Sequence, residues 1–274
     1  MCFTSITITN KDDYQLAKCI ALSLWFEYKK DNRDGAAYRH NNKVVRTLDY
    51  NEFWNYYSQE SHTGLSHLHL RLATSAVKKE FIHLWNIGGA YCAHNGVLYN
   101  IKDEDKFEDE FKNNNRSSVI RYSGYNRNKS DSLIFFKTIN DHIANRDIKG
   151  ISKALEYASG TAVLTISYPD NWFIVASNSK CIKVSLVNKK ALVFSSDDVV
   201  LYKSYTLVKE KSSFNYKGHI FEENEKETII LTDKDYTIST IEYNDCVMLC
   251  DPEGCIIDKV EVKKTSYRSF SYYY

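Results

Sequence analysis

The chain opens on a β-rich alternation. Phe3-Thr4-Ser5-Ile6-Thr7-Ile8-Thr9 predicts a strand that begins at Cys2. Asn10 and then Asp12-Asp13 give a helix-start signal, with carboxylates expected in the first turn. Leu16, Ile20 and Leu24 recur at helical spacing, so a helix is predicted to about Tyr28. Asn32-Arg33-Asp34-Gly35 breaks it. Residues 36–39 and 43–48 read as a hairpin, and 50–59 as a short helix with an aromatic face. From His67 to Thr74 the chain alternates again, with His67, His69, Arg71 and Ala73 on one face and Leu68, Leu70, Leu72 and Thr74 on the other. Residues 88–98 read as a strand ending in a turn at Cys92-Ala93-His94-Asn95-Gly96. The charged, Asn-rich stretch 102–118 reads as a helix end and a mobile loop, and 131–143 and 151–159 as helices. Short strands come next at 161–166, 172–177, 183–187 and 191–195, and the chain is β-like from Tyr205 on. Strands, helices in the middle and strands again suit an α+β fold with antiparallel sheets better than a doubly wound one. Neither common Gly-rich phosphate loop is present.

Composition narrows the picture by exclusion. The 274 residues carry 36 basic and 35 acidic side chains, a net charge of +1, so bulk charge argues for neither a nucleic-acid nor a membrane partner. No run approaches the roughly 18 apolar residues of a membrane span, and no basic segment precedes an apolar core at the start. A soluble cytoplasmic protein is expected. Seven widely spread cysteines, an odd number, argue against a disulfide framework. Cys246, Cys250 and Cys255 cluster without a CxxC pair or a nearby His, so buried thiols in a strand pair are expected rather than zinc. No metal or cofactor is expected.

Candidate chemistry starts at the second residue. In Met1-Cys2 the small second residue invites removal of the methionine, which would leave Cys2 with a thiol and a free α-amine. Their reference pKa values are about 8.5 and about 7.7–8.0, so the amine can take the thiol proton near neutrality. Alone this is weak, but an ordered set of motifs lies downstream. These are Arg33-Asp34-Gly35-Ala36 after the first helix, His69-Leu70-Arg71-Leu72-Ala73-Thr74, and His83-Leu84. Next come His94-Asn95-Gly96-Val97-Leu98-Tyr99-Asn100, Ser130-Asp131-Ser132, Gly160-Thr161-Ala162 and Phe194-Ser195-Ser196-Asp197. Together they resemble the class II glutamine amidotransferase domain of the N-terminal-nucleophile hydrolase superfamily, over about residues 2–240. Phe3 in place of a common Gly, Leu72 in place of an aromatic, Ser75-Ala76 without a Gly, and no Pro after His83 mark a divergent member.

The resemblance implies a four-layer αββα sandwich with two antiparallel sheets, and residues 241–274 as a β extension and Tyr-rich tail of the same domain. It implies that Cys2 attacks the side-chain amide of glutamine, giving a γ-glutamyl thioester and ammonia. Asn95 and Gly96 would supply the oxyanion donors, Arg71 would grip the substrate carboxylate, and Asp131 its ammonium. Each residue has a plainer reading. Asn95-Gly96 alone suggests a β-turn, Ser130-Asp131 a helix cap, Arg71 a surface strand residue, and His69 and His94 orienting or core histidines. Their co-occurrence behind an N-terminal Cys favours the site. The segment after the recognisable region is too short for a synthase domain of typical size, so an ammonia-accepting synthase is expected on a separate subunit. Three readings stay open: a glutaminase or amidotransferase subunit, a hydrolase of another γ-glutamyl amide, and a catalytically silent scaffold of the same fold. The basic, aromatic stretch from Lys259 to Tyr274 could stack on a partner or on single-stranded nucleic acid. A last strand with a Tyr-rich surface end is the preferred reading, and no nucleic-acid partner is expected.

Overall fold

The first strand sorts its side chains onto two faces, and that sorting sets the layers. The computed structural model describes residues 2–73, 77–99, 130–201, 205–210, 213–216, 219–222, 226–231 and 236–263. In order, the elements are β1 (Phe3–Thr9), α1 (Tyr14–Tyr28), β2 (Ala36–His40), β3 (Lys43–Thr47), α2 (Tyr50–Tyr57) and β4 (Gly64–Leu70). A 3-10 turn at Lys79–Phe81 leads to β5 (Trp85–Ile87) and β6 (Ala90–Tyr99). Three helices follow: α3 (Asp131–Thr138), α4 (Asn140–Ala144) and α5 (Ile148–Tyr157). Then come β7 (Ser159–Ser167), β8 (Phe173–Asn178), β9 (Cys181–Val187) and β10 (Ala191–Ser195). The last strands are β11 (Tyr205–Glu210), β12 (Ser213–Tyr216), β13 (His219–Glu222), β14 (Lys226–Leu231), β15 (Ile238–Asn244), β16 (Cys246–Cys250) and β17 (Ile256–Glu261).

Two antiparallel sheets carry the fold, ordered β15-β9-β10-β1-β4-β2-β3 and β17-β16-β8-β7-β6-β5. β11 with β14 and β12 with β13 form separate two-stranded ladders. In β1, Phe3 joins a core with Leu16, Ile20 and Trp25 of α1 and Phe53 and Tyr57 of α2. Ile6, one face over, joins Val163, Phe173, Val175, Phe194 and Met248, from both sheets. Leu164, Ile166, Ile174 and Ala176 of the second sheet bury against Phe135, Ile143, Ile151 and Leu155 of α3, α4 and α5. The period-2 alternation of each strand therefore feeds two different cores.

The space between the sheets is apolar around Ile6 and again around Ala37 and Ala93, and it also holds buried polar groups. Thr4 and Thr165 share a hydroxyl hydrogen bond of 2.6 Å, and His67 reaches Thr165 and Ser167 at 2.7 and 2.8 Å. Arg39 of β2, fully buried, donates to the Tyr168 carbonyl (2.7 Å) and to Asn171 Oδ1 (3.2 Å), tying the first sheet to the β7–β8 turn.

Several expectations are corrected. Asp12 and Asp13 precede α1 and no acidic residue lies in its first turn; Asp13 is the cap position and makes no side-chain cap bond. The turn expected at 92–96 does not exist. β6 runs straight through it, with Asn95 opposite Val163 and Gly96 opposite Ala162, and the reversal lies earlier, at Gly88 and Gly89 with φ of 58° and 75°. The helix expected at 131–143 is split, because the cap at Ile139 ends α3 before Asn140 starts α4. β4 ends at Leu70, so Arg71 stands just past the strand. Cys246 and Cys250 are buried on β16 as expected, while Cys255 is exposed. The stretch 102–118, Asn100, Thr74 and the Tyr-rich tail lie outside the described residues.

Candidate active site

The register of β1 against β4 builds the first half of the site. Phe3 lies opposite Leu70, so Arg71 follows directly alongside Cys2. The Cys2 thiol donates to the Leu72 carbonyl at 3.4 Å. Arg71 is buried and held by the Arg33-Asp34-Gly35 turn: its N–H donates to the Gly35 carbonyl (2.8 Å), its carbonyl accepts from Asp34 N–H (2.9 Å), and its guanidinium donates to the Asp34 carbonyl (3.4 Å). The Asp34 carboxylate accepts from the Ala73 N–H at 2.7 Å, which fixes the chain leaving β4. Asp34 had a motif in the sequence but no assigned role; here it braces Arg71.

The electrostatics couple Cys2, Arg71 and Asp131. Cys2 keeps part of its surface open, yet enclosure by its neighbours raises the thiol pKa, the Leu72 backbone and Arg71 lower it, and Asp131 raises it. Burial lowers the Arg71 pKa, while Cys2, Asp34 and Asp131 act against that. A cation and a carboxylate thus both lie within electrostatic range of the thiol, although they come from the end of β4 and from α3, sixty residues apart in sequence.

β6 and α3 supply the second half. Ser130 caps α3, its hydroxyl accepting from the Leu133 N–H at 3.3 Å. This sets Asp131 in the first turn, where one oxygen accepts from the Leu98 N–H (2.9 Å) and the other from the Ser132 hydroxyl (3.4 Å). Along β6, alternation sends His94 toward α3 and Asn95 toward the first sheet. His94 Nδ1 meets Ser132 Oγ at 2.7 Å. Asn95, fully buried, donates through Nδ2 to Ser196 Oγ (2.8 Å) and to Asp197 Oδ2 (3.4 Å), while its Oδ1 has no hydrogen-bond partner among the described residues. Ser196 Oγ also accepts from the Thr4 N–H (3.2 Å), so one hydroxyl joins Asn95 to the strand that carries Cys2. Gly96 has a φ of 143°, and a Cβ there would stand 1.9 Å from the Thr161 carbonyl oxygen. Glycine is required at this position by the neighbouring strand β7, a reason the sequence did not reveal.

Behind the site lies a stack of buried imidazoles. His69 and His83 lie 3.8 Å apart at 19°, and His83 is 6.4 Å from His94 with rings at 6°. His83 Nδ1 accepts from the His94 N–H at 3.1 Å, so this ring is neutral with its proton on Nε2. Burial lowers the pKa of all three. They are core groups that shape the back wall, as the plainer reading of His69 and His94 holds. Among the described residues, no group of three or more His, Cys, Asp or Glu side chains could hold a metal ion, and no helix is long and apolar enough to cross a membrane. A cavity of about 390 Å³ beside Asn86, Gly88 and Asn140 shares no residue with this site.

No family model matches the sequence, and no curated protein matches it. Among solved structures, the glutamine phosphoribosylpyrophosphate (PRPP) amidotransferase from B. subtilis, complexed with ADP and GMP, superposes with a TM-score of 0.49 at 14% identity. The superposition covers 96% of this chain and 50% of that one, so this chain spans half the length of that protein.

Proposed function

We propose that the protein is an amide hydrolase of the N-terminal-nucleophile type that acts on glutamine through Cys2 once Met1 is removed. The observation that supports this reading is that Cys2, Arg71 and Asp131 lie within electrostatic range of one another, the cation buried beside the start of β1 and the carboxylate held at a helix start. A zwitterionic amino acid needs both charges beside the nucleophile. The three cores, helices on a sheet, sheet on sheet and sheet on helices, support a four-layer αββα arrangement. In the proposed step the α-amine of Cys2 takes the thiol proton and the sulfur bonds to the amide carbon. The carbonyl π pair moves to oxygen. Collapse of this adduct breaks the C–N bond, and the amine returns its proton to the departing ammonia, leaving a γ-glutamyl thioester that water cleaves to glutamate and the free thiol. Asn95 fits the oxyanion role in one orientation. If its amide turns over, Oδ1 accepts from the Ser196 hydroxyl, and Nδ2 occupies the place where no protein acceptor stands. Another γ-glutamyl amide remains an alternative substrate, and a separate synthase subunit a proposed receiver of the ammonia.

Intact mass and alkylation by the diazo-oxo-norleucine analogue of glutamine test this. Loss of Met1 with one adduct on Cys2, blocked by Cys2→Ala in a protein that still folds, is the expected result. Retained Met1 would overturn it and favour the silent scaffold, and turnover that survives Cys2→Ala would overturn the role of Cys2 as nucleophile. Asp131→Asn keeps an acceptor for the Leu98 N–H but removes the charge, so it should raise KM for glutamine about tenfold or more with little change in stability. An unchanged KM would mean that the substrate has no ammonium held there.

A further inference from the structure

One buried cation beside the site has no part in the scheme above. Lys180 sits in the tight turn between β8 and β9, whose backbone is pinned by the bond from Ser179 N–H to Asp245 Oδ1 at 2.6 Å. Its side chain is only 15% exposed. Its Nζ is buried and has no hydrogen-bond partner among the described residues; its one ion pair there, to Asp197 Oδ2, spans 3.9 Å. Placing an ammonium out of water costs free energy unless its N–H groups are satisfied. In the orientation shown, that Asp197 oxygen accepts from Asn95 Nδ2 and from the Ser196 hydroxyl, both at 3.4 Å; with the Asn95 amide turned over for the oxyanion role both donors leave it, and Lys180 is then its ion-pair partner among the described residues. Lys180 thus reaches a carboxylate that adjoins the Asn95 amide. A carboxylate beside a pocket where negative charge develops would oppose the reaction, and a cation on the same side offsets it. Lys180 also lies within electrostatic range of Cys2 and His94.

We propose that Lys180 is a cation of the reacting site, its ammonium stabilising negative charge on the Cys2 sulfur and on the substrate oxyanion beside it. The sulfur half does not depend on the amide-hydrolase reading; the oxyanion half rests on it. Its unmet N–H groups are then the donors that an arriving anionic oxygen satisfies. Arg71, next to Cys2 across the β1–β4 register, is left to bind the substrate carboxylate.

Cys2 alkylation by iodoacetamide, followed across pH by peptide mass mapping, tests the proposal in the full chain with Lys180→Met, Lys180→Arg, Asp197→Asn and the Lys180→Met/Asp197→Asn pair. Lys180→Met should slow Cys2 alkylation near neutrality by about tenfold and move its pH midpoint up by about one unit, while Lys180→Arg stays near wild type. The shift should persist in the Asp197→Asn background. An unchanged profile in Lys180→Met, or a shift that disappears once Asp197 is neutral, would overturn the proposal and leave Lys180 as a plain ion-pair partner. Ammonia release then reads the oxyanion half: kcat should fall about tenfold or more in Lys180→Met with KM within about twofold, and a change confined to KM would refute that half. Wild-type protein that releases no ammonia overturns the amide-hydrolase reading and the oxyanion half with it, while the alkylation profile still decides the sulfur half.

Discussion

At the scale of single residues, backbone approach rather than side-chain chemistry sets the tightest constraint. Gly96 carries a φ of 143° and faces the Thr161 carbonyl so closely that even a methyl group cannot fit. Gly96→Ala should therefore lower stability by about 2 kcal/mol or more, seen as a lower urea midpoint at unchanged m-value; a neutral result would mean that β6 and β7 can part without cost. Phe3 is explained at the same scale. Where the resembled family often has Gly, this chain has an aromatic ring stacked 3.8 Å from Tyr28, inside the core under α1. The ring anchors the strand that Cys2 precedes to the helix that follows it.

At the scale of elements, two features hold the site residues in place. The aromatic face of α2 packs on Trp25 of α1, with Phe53 at 4.8 Å and Tyr57 at 5.9 Å. Trp25→Ala should cost about 3–5 kcal/mol in denaturant unfolding, because the ring is buried among partners that cannot close the gap. The cap of α3 matters for the site itself. Ser130→Ala should cost about 1 kcal/mol, and Ser130→Asp should restore most of it, since either side chain can accept from the Leu133 N–H. If the Ala variant also raises KM for glutamine, the cap is what holds Asp131 in register; stability lost with KM unchanged would separate the two roles.

At the scale of the whole molecule, the buried imidazoles make folding sensitive to pH. Burial lowers the pKa of His62, His67, His69, His83 and His94 below the ordinary value of 6.5. The unfolded chain takes up protons on these rings at higher pH than the folded one. Their contribution to stability is therefore fully present above pH 6.5 and is lost as pH falls below it, by up to about 1.4 kcal/mol per ring per pH unit. A steep fall in Tm between about pH 6.5 and 5.5 is expected, before carboxylates such as Glu60 and Asp147, whose pKa values are lowered, begin to protonate. A flat Tm over that interval would show that the rings are charged or hydrated in the folded state.

Local pattern determined much of this protein. The first strand, the helix to Tyr28, the hairpin of β2 and β3, α2 and the strands β7 to β10 were legible because period, caps and turn residues act over a few positions. The candidate residues Cys2, Arg71, Asn95, Gly96 and Asp131 were also found in the sequence, as members of ordered motifs. Tertiary structure decided the rest. Asn95-Gly96 carries the strongest local turn signal yet lies inside a strand, because pairing with β7 along its whole length outweighs a two-residue preference. The roles of Asp34, Ser196, Asp197 and Lys180 depend on which segments meet, and no short window contains Thr4, Asn95 and Ser196 together. Whether a buried charge has a partner depends on such long-range contacts, and only the folded chain brings them together.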